Sequence, residues 1–472
     1  MTIEKNIYKV LEEIVGKDFI SDAEEDLICH SYDATRQQGM PDLVIKPDSA
    51  LEISEIMKLA NRELIPVYPR GAASGLTGGA VPLHGGIALD MTRMNRILDI
   101  DEANLTSTVE PGVIVAEFQK EVEKHGLLYP PDPASNKFAT LGGSVAECAG
   151  GLRGMKYGVT KDYVMALEAV LPTGDIIHTG SKTLKSVTGY DLTKLLVGSE
   201  GTLAIFTKIV VKLVPPPEKI ETIMANFSSI RDATNTVSAI IAAKIMPRAL
   251  EFVDEACIKA VSNYAEFEVA KGTKALLLME LDGSKETAAR DAERVMQICR
   301  DNDAFQVQKA RNEEDVDELW SVRRSISPSL YSISKGKVNE DICVPRSNLT
   351  KMLEKIHEIA DKYKVITANF GHAGDGNIHM NILVDTGNPE EMERAETAAE
   401  EIFRATIDFG GTLSGEHGIG NTKSRYLDIE IGPVEMQIMK GIKAVFDPNG
   451  ILNPGKIFYE PKPEFNTVYV KD

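Results

Sequence analysis

Short apolar runs alternate with helix-like segments along the first 214 residues of the chain. Runs typical of β-strands lie at 42–47, 65–70, 85–91, 107–113, 166–179 and 203–215. Between them, segments such as 49–64 carry apolar residues at the three- and four-residue spacing of an amphipathic helix. The alternation predicts an α+β or α/β domain over residues 1–214.

A stiff break follows at 215–219, where the chain reads PPPEK. Beyond it, strand-like runs and long helical patterns lie at 221–227, 249–254, 274–283, 285–303, 339–345, 365–371 and 389–408. They predict a second α+β domain over 215–411 that is built on an antiparallel sheet. The remaining segment, 412–472, has turn chemistry of its own. We expect it to return to the first domain and to complete the functional site.

The segment 371–381, GHAGDGNIHMN, places two of the eight histidines on either side of Asp375-Gly376. An Asp-Gly pair is typical of a two-residue type I′ hairpin turn. With that turn, His372 lies opposite His379 on neighbouring strands. Directly opposed residues have Cβ atoms roughly 5 Å apart on one face of the sheet. The hairpin therefore predicts two imidazoles that can bind one ion.

A further motif, GTLSGEHGIG at 411–420, supplies Glu416 and His417 between glycines. His372, His379 and Glu416 would form a three-ligand metal site with open positions. This donor set is typical of catalytic zinc and of non-haem iron centres rather than of closed structural sites. Paired histidines can also lie on an exposed strand ladder. The flanking runs are apolar, however, and buried imidazoles without partners are costly.

Glycine-rich loops form another pattern. The stretch 69–82, PRGAASGLTGGAVP, follows an apolar strand, and its small residues would let backbone N–H groups converge on a diphosphate. A plain turn is the alternative. Further glycine-rich segments lie at 130–158 and 197–207. No GxGxxG follows a strand and opens a helix, which disfavours a dinucleotide-binding Rossmann unit.

Charge and cysteine content exclude several classes of protein. The net charge of −19 argues against nucleic-acid binding, and an anionic substrate would need Arg or Lys placed at its site. Five scattered cysteines form neither a zinc ribbon nor a four-cysteine iron–sulfur motif, and their odd number favours a reducing compartment. The run MTIEKNIYKVLEEIVG predicts a charged amphipathic helix rather than a signal peptide, and no apolar run approaches about 18 residues. We expect a cytoplasmic protein with no integral membrane segment.

The motifs PRGAASGLTGG, ATLGGSVAECAGG, GSEGTLAI, GHAGDGNIH, SGEHGIG and ILNPGK together resemble one known family. The chain is similar to the vanillyl-alcohol-oxidase/p-cresol-methylhydroxylase superfamily of FAD-binding proteins. Within it, the chain resembles the branch of the glycolate oxidase flavoprotein subunit and the FAD-dependent D-lactate dehydrogenases. The resemblance covers essentially the whole chain. It implies an α+β fold with a two-lobed FAD-binding domain and an α+β substrate (cap) domain.

The resemblance also implies which residues contact FAD. They are Pro69, Arg70, Gly71, Ala72, Ala73, Ser74, Gly75, Leu76, Thr77, Gly78, Gly79, Pro131, Asp132, Thr140, Gly142, Gly143, Ser144, Gly150, Gly151, Glu200, Gly201, Ile205 and Asn453. Relatives with covalent flavin often carry a histidine in the first loop, in an R-x-G-G-H pattern. Here Ser74 stands at that position, and because serine does not form the histidyl linkage, we predict dissociable FAD.

By the same resemblance, His372, His379 and Glu416 match divalent-metal ligands and His417 matches the active-site base. The ion could be zinc, manganese or iron. The family pattern LW-x-x-R places the substrate arginine at Arg323, with the adjacent Arg324 as the alternative. Lys337 is a second candidate cation. Some relatives carry their lysine two residues later, where this chain has Asn339, and positions two apart in a strand share a face.

The function implied is FAD- and metal-dependent oxidation of a small D-2-hydroxy acid, lactate first and glycolate next, to the 2-oxo acid. D-2-hydroxyglutarate oxidation uses the same core but needs another cation for the distal carboxylate. An alternative hypothesis from a different functional class is a flavin subunit that only relays electrons and oxidises no substrate of its own. Relatives pass electrons to an iron–sulfur subunit, an electron-transferring flavoprotein, a quinone or a cytochrome. We expect a protein partner of one of the first two kinds.

Overall fold

Two sheets form the first half of the molecule in the computed structural model, which describes residues 3–35, 37–264 and 269–459. The first sheet has the order β1-β2-β4-β3, with β4 parallel to both of its neighbours. Its strands are β1 (Ile20–Ser21), β2 (Leu43–Ile45), β3 (Val67–Arg70) and β4 (Ile87–Asp90). The helices before and between them are α1 (Lys5–Val15), α2 (Glu24–Cys29) and α3 (Ala50–Glu63).

The second sheet is antiparallel and has the order β5-β6-β9-β7-β8. Its strands are β5 (Ile97–Asp101), β6 (Thr106–Val109), β7 (Val164–Val170), β8 (Ile176–Gly180) and β9 (Ile205–Lys212). The helices of this region are α4 (Val115–Lys124), α5 (Leu141–Glu147), α6 (Gly154–Tyr157), α7 (Thr160–Tyr163) and α8 (Leu192–Leu196). Each of the two sheets has its own apolar core.

A seven-stranded antiparallel sheet dominates the second half, in the order β13-β10-β12-β11-β15-β16-β14. Its strands are β10 (Lys219–Phe227), β11 (Ala249–Asp254), β12 (Ala275–Gly283), β13 (Ala304–Lys309), β14 (Gly336–Cys343), β15 (Ile366–His372) and β16 (Asn377–Val384). The predicted antiparallel sheet of the second α+β region is therefore confirmed.

Helices cover both faces of this large sheet. They are α9 (Ile230–Ala242), α10 (Glu255–Tyr264), α11 (Lys285–Asp301), α12 (Glu313–Ser329), α13 (Leu349–Tyr363) and α14 (Pro389–Asp408). One face packs against α9, α11, α13 and α14, and the other against α10 and α12. Phe370 of β15 lies in the apolar core between the sheet and the helices α10 and α12. Because side chains alternate along a strand, His372 lies on the same face as Phe370, toward α12.

The β15–β16 hairpin differs in register from the prediction. His372 lies opposite Asn377, and His379 lies opposite Phe370, so the predicted pairing of His372 with His379 is wrong. The turn contains four residues rather than two, since the backbone N–H groups of Asp375 and of the following glycine both donate to the His372 carbonyl, at 3.2 and 3.0 Å. Relative to the prediction, the residue opposite His372 changes by two positions, from His379 to Asn377. Both imidazoles therefore remain on one face, as diagonal neighbours.

The turn requires glycine at its last position. Gly376 has φ +90°, and a Cβ there would lie 2.0 Å from the Val344 carbonyl oxygen. Gly272 offers a matched control, because it has φ +93° and a Cβ at this position would meet no atom within 4 Å. Left-handed backbone alone costs an L-residue about 1–2 kcal/mol. We expect Gly376→Ala to lower the thermal unfolding midpoint clearly more than Gly272→Ala. Equal shifts in calorimetry would contradict the steric argument.

The C-terminal region crosses between the two halves of the molecule. We call residues 413–422 the strap; after it come α15 (Leu427–Glu430) and α16 (Pro433–Phe446). The chain then returns to the first sheet, where Leu452 forms a parallel bridge with Val67 of β3. The Asn453 side chain donates to the carbonyl oxygens of Gly79 and Glu200, at 3.1 and 2.8 Å. The predicted return of the C-terminal segment is thus observed.

Candidate active site

The loop after β3 lines a cavity together with the start of α5 and the segment before β9. Most residues that the sequence associates with FAD lie in its wall. These are Pro69, Arg70, Gly71, Ala72, Ala73, Ser74, Gly75, Leu76, Gly79, Thr140, Gly142, Gly143, Ser144, Gly150, Glu200, Gly201, Ile205 and Asn453. Glu416 and His417 of the strap line the same cavity.

Five of the residues that the sequence assigns to FAD do not line this cavity and contact neighbouring segments instead. The carbonyl oxygen of Thr77 accepts from Asn421 N–H at 2.9 Å, and a Cβ at Gly78 would overlap the Asn421 side chain. The Pro131 carbonyl accepts from Gln119. Asp132 is 3.2 Å from Arg153 Nη2, and its backbone pairs with that of Gly151.

The cavity wall combines closely packed backbone with unpartnered polar atoms. Backbone approaches so closely here that a Cβ at Gly71 would lie 2.3 Å from Thr140 Oγ1, and one at Gly142 would lie 2.5 Å from Pro111. Ser144 Oγ and Asn453 Oδ1 are buried, and neither has a hydrogen-bond partner among the described residues. Unpartnered buried polar atoms are costly, so a polar ligand in this cavity would satisfy them.

Three side chains from β15, β16 and the strap meet beside the cavity, which one of them, Glu416, also lines. His372 Nε2 and His379 Nε2 are 3.3 Å apart, and each is 3.4 Å from Glu416 Oε1. Ligand atoms about 2.0–2.1 Å from a tetrahedral ion would be about 3.3 Å from one another. Within the part of the chain that the structure describes, no other group of three His, Cys, Asp or Glu has metal-binding spacing.

The two imidazoles have opposite electrostatic surroundings. Burial would lower the pKa of His372, but the carboxylates of Glu251 and Glu416 raise this pKa well above its ordinary value. The pKa of His379 is well below its ordinary value because of burial and of the neighbouring His372 and His417 rings. His379 therefore offers a neutral nitrogen. A divalent cation between the three side chains would fit this donor set.

His417 lies between this cluster and the glycine-rich cavity. Its ring is stacked on that of His379, with centroids 5.3 Å apart and an interplanar angle of 13°. His417 Nδ1 is 3.4 Å from Asp341 Oδ1, and Nε2 is 3.9 Å from Glu416 Oε1. The strap thus presents one ring nitrogen to a buried carboxylate and the other to the site.

Asp341 holds the strap in place. Its carboxylate accepts from the backbone N–H groups of Glu416 and His417, at 2.7 and 3.1 Å, and from Lys423 Nζ at 2.5 Å. Burial would raise the pKa of Asp341, but the charges of His417 and Lys423 bring it to about 2. Sequence analysis missed both Asp341 and Lys423. An acidic pair within the strand run NEDIC was the available signal.

Glu251 is a second carboxylate that sequence analysis missed. Its side chain is 0% exposed and is 2.6 Å from His372 Nδ1 and 2.8 Å from Arg323 Nε. Burial would raise the pKa of Glu251, but His372 and Arg323 hold it below its ordinary value. An acidic residue in the middle of the apolar run ALEFVD was the signal that could have identified it.

The structure separates the candidate cations. Arg323 is largely buried and stacks on the Phe370 ring, 4.5 Å from its centroid, beside the His/His/Glu cluster. Arg324 is exposed and pairs with Asp317. Lys337 of β14 donates to Ser327 Oγ at 2.9 Å. Ser327 lies one helical turn of α12 beyond Arg323. Asn339 lies two residues along β14 from Lys337 and therefore on the same face.

Comparisons with known proteins agree with the fold and with binding of FAD. Residues 216–457 match the family described as FAD linked oxidases, C-terminal domain, and residues 41–180 match the FAD binding domain. The glycolate oxidase subunit GlcD of Bacillus subtilis (strain 168) is 47% identical over 97% of this chain and 97% of its own. The D-lactate dehydrogenase of Anaerostipes hadrus is 36% identical over 91% of this chain and 92% of its own.

Among solved structures, p-cresol methylhydroxylase with substrate bound has a TM-score of 0.80 at 18% identity, covering 98% of this chain and 99% of that one. This likeness confirms the predicted fold class. Across residues 3–35, 37–264 and 269–459, no helix is long and apolar enough to cross a membrane. From the matches to both domain families and to relatives along nearly its whole length, the chain belongs to the family of FAD-linked oxidases.

Proposed function

We propose that this protein oxidises a small D-2-hydroxy acid, lactate first and glycolate second, to the corresponding 2-oxo acid, with FAD and one divalent cation. The observation that carries the proposal is the position of His417, between the His/His/Glu cluster and the glycine-rich cavity. The names of the glycolate oxidase subunit of Bacillus subtilis and the D-lactate dehydrogenase of Anaerostipes hadrus support it.

In this proposal the chain holds the substrate at both ends. Arg323 binds the substrate carboxylate, since a guanidinium offers paired N–H donors to a carboxylate. His372, His379 and Glu416 hold the cation. When bound, FAD would supply the hydride acceptor for the substrate Cα, and the cation would supply polarisation of the hydroxyl group. The flavin cavity and the cation ligands meet at the strap, which brings the two chemistries together.

His417 takes the hydroxyl proton. Asp341 lies on the Nδ1 side of the ring, 3.4 Å away, and favours the tautomer in which Nδ1 carries hydrogen and Nε2 is the acceptor. As the proton moves to Nε2, the negative charge of Asp341 stabilises the imidazolium. The C–H bond supplies the electron pair of the hydride, the O–H bond supplies the proton, and the electron pair left on oxygen completes the C=O bond of the 2-oxo acid.

An anaerobic visible spectrum tests the proposal directly. We expect D-lactate, and more slowly glycolate, to bleach the flavin of the purified protein without any other subunit, while L-lactate does not. Preference for D-2-hydroxyglutarate would favour the alternative substrate and direct attention to Lys337, which contacts Ser327, one helical turn of α12 beyond Arg323. Failure of every hydroxy acid to bleach the flavin would support the electron-relay alternative and overturn the proposal.

The attachment of the flavin can be tested in the same preparation. Ser74 lines the cavity at the position where covalent relatives carry histidine. We therefore expect acid precipitation to release all of the yellow chromophore into the supernatant. Chromophore retained in the protein pellet after washing with denaturant would contradict the prediction of dissociable FAD.

We further propose that the electrons leave to a protein partner, an electron-transferring flavoprotein or an iron–sulfur subunit. All five cysteines lie in the described part of the chain as free thiols, and they do not come together in a cluster there. Steady-state assays with purified electron-transferring flavoprotein, a reconstituted iron–sulfur subunit and a soluble quinone would rank the acceptors. Rapid turnover with the quinone, together with no turnover with either the electron-transferring flavoprotein or the iron–sulfur subunit, would contradict this part of the proposal.

A further inference from the structure

Glu251 connects two functional groups through one side chain. It lies in β11, which pairs with β15 so that Glu251 stands directly opposite His372. One carboxylate oxygen is 2.6 Å from His372 Nδ1, and the other is 2.8 Å from Arg323 Nε. The carboxylate therefore contacts a ligand of the cation site on one side and the substrate arginine on the other.

We infer that Glu251 is a positioning residue that fixes the metal ligand His372 and the carboxylate-binding Arg323 to one rigid carboxylate. The inference rests on the proposed function for the role of Arg323. Its other half, the orientation of His372, concerns metal binding alone. Loss of Glu251 should therefore weaken the binding of the cation and of the substrate together.

The hydrogen-bond chemistry sets the tautomer of His372. A carboxylate accepts but does not donate, so Nδ1 of His372 must carry the hydrogen of the 2.6 Å contact. That leaves Nε2 as the ring nitrogen that can bind a cation, and this is the atom that lies 3.3 Å from His379 Nε2. Carboxylates in this position behind a ligating histidine both orient the ring and raise its basicity.

The second oxygen restrains Arg323. It accepts from Nε, which leaves the terminal nitrogens of the guanidinium for a substrate carboxylate. The Phe370 ring holds the guanidinium from another direction, with 4.5 Å between Cζ and the ring centroid. Two restraints on one side chain reduce the freedom that substrate binding would otherwise remove.

A purely structural role fits Glu251 poorly. The neighbours that share its face of β11, Ala249 and Val253, are apolar and buried, and an apolar residue at 251 would avoid burying a charge. Asp254 in the same strand provides the contrast. That buried carboxylate accepts from the backbone N–H groups of Cys257 and Asn369, at 2.9 and 2.7 Å. It fixes local backbone and contacts neither His372 nor Arg323.

Glu251→Gln is the sharpest variant because it keeps the shape and changes the hydrogen bonding. If the amide oxygen faces His372, the amide NH2 group faces Arg323 Nε–H, donor against donor. In the flipped orientation, the NH2 group donates to Nδ1 and moves the histidine hydrogen to Nε2, where it blocks the metal. The first orientation loses the hydrogen bond to Arg323 and the second loses Nε2 of His372 as a metal ligand, so the variant impairs one group or the other.

The first measurement is metal binding to the FAD-loaded protein, with Mn²⁺ as the probe and free Mn²⁺ followed by electron paramagnetic resonance. We expect Glu251→Gln to bind Mn²⁺ about 10- to 100-fold more weakly, the usual effect of removing such a partner. The matched control is Asp254→Asn, which should lower the thermal midpoint while the Kd for Mn²⁺ stays within twofold of wild type. Equal weakening by both variants, or none by Glu251→Gln, would overturn the inference.

The second measurement is the KM for the hydroxy acid at saturating Mn²⁺. Glu251→Gln should raise KM in the wild-type background and much less in an Arg323→Met background, because contacting residues are not additive. Full additivity would overturn the link to Arg323. If Glu251→Gln does not fold, Glu251→Asp, which is too short to reach both partners, takes its place under the same criteria.

These outcomes separate the inference from the proposed function. If the wild type binds Mn²⁺ but no hydroxy acid bleaches the flavin, the proposed function fails, while the effect of Glu251→Gln on the Mn²⁺ Kd still decides the orienting role. If hydroxy acids bleach the flavin and Glu251→Gln matches wild type in both measurements, the inference alone fails. Absence of Mn²⁺ binding by the wild type would overturn the inference.

Discussion

Replacing His417 by glutamine is expected to slow flavin reduction by the hydroxy acid about 100- to 10,000-fold, the usual contribution of a positioned general base. Glutamine has no ring nitrogen that can take a proton at neutral pH. The backbone of residue 417 would stay fixed, because its N–H donates to Asp341 and its carbonyl accepts from Thr77 Oγ1. The variant should therefore keep FAD and cation and lose the chemical step.

Anaerobic stopped-flow bleaching of the flavin measures this step without any electron acceptor. The control is His125→Gln, since His125 forms an imidazole–carboxylate pair with Glu102 at the surface, with 2.7 Å between the partners. It should reduce flavin at the wild-type rate. A His417→Gln protein with normal FAD and Mn²⁺ content that bleaches within tenfold of wild type would remove His417 from the base role.

Removing the cation is expected to slow flavin reduction about 100- to 1,000-fold. A Lewis-acidic cation contributes several kcal/mol to transition-state stabilisation, and each 1.36 kcal/mol corresponds to tenfold in rate. Dialysis against a chelator should produce the slow form, and addition of Zn²⁺ or Mn²⁺ should restore the rate. His379→Ala should be slow in both conditions, because His379 Nε2 is one of the three converging ligand atoms.

His357 supplies the matched control for this experiment. It lies on the exposed side of α13, away from the His/His/Glu cluster, and His357→Ala should respond to chelator and metal as the wild type does. Elemental analysis of the same samples would identify the preferred ion. Undiminished flavin reduction by a chelated protein whose metal content is shown to be negligible would contradict a role for the cation in the reaction.

The hairpin shows how far the sequence predicts the fold. The Asp-Gly pair placed the turn correctly, but the register was wrong, because the turn closes on the His372 carbonyl over four residues. Both histidines nevertheless lie on one face of the sheet, as predicted. Side chains alternate with a period of two, and the error was two residues, so the parity of the strand was unchanged.

The candidate site shows which functional residues the sequence does not predict. Glu416 and His417 stand in a recognisable motif, and the sequence identified them as candidates. Glu251 and Asp341 come from strands far along the chain, and they reach the site only because β11 pairs with β15 and β14 pairs with β16. The order of strands in a sheet is a property of the packed whole. No local pattern specifies it, so these carboxylates were missed.

The strap imposes a constraint on natural variation of this chain. Its carboxylate and imidazole face the ligand cluster, while three residues onward Ile419 and Gly420 donate to Glu200, at 2.8 and 2.6 Å. Most loops accommodate insertions and deletions with little consequence. Here one added or removed residue between Glu416 and Ile419 would move either Glu416 away from the ligand cluster or Ile419 away from Glu200. Functional homologues should therefore keep the spacing of this segment even where its amino acids differ.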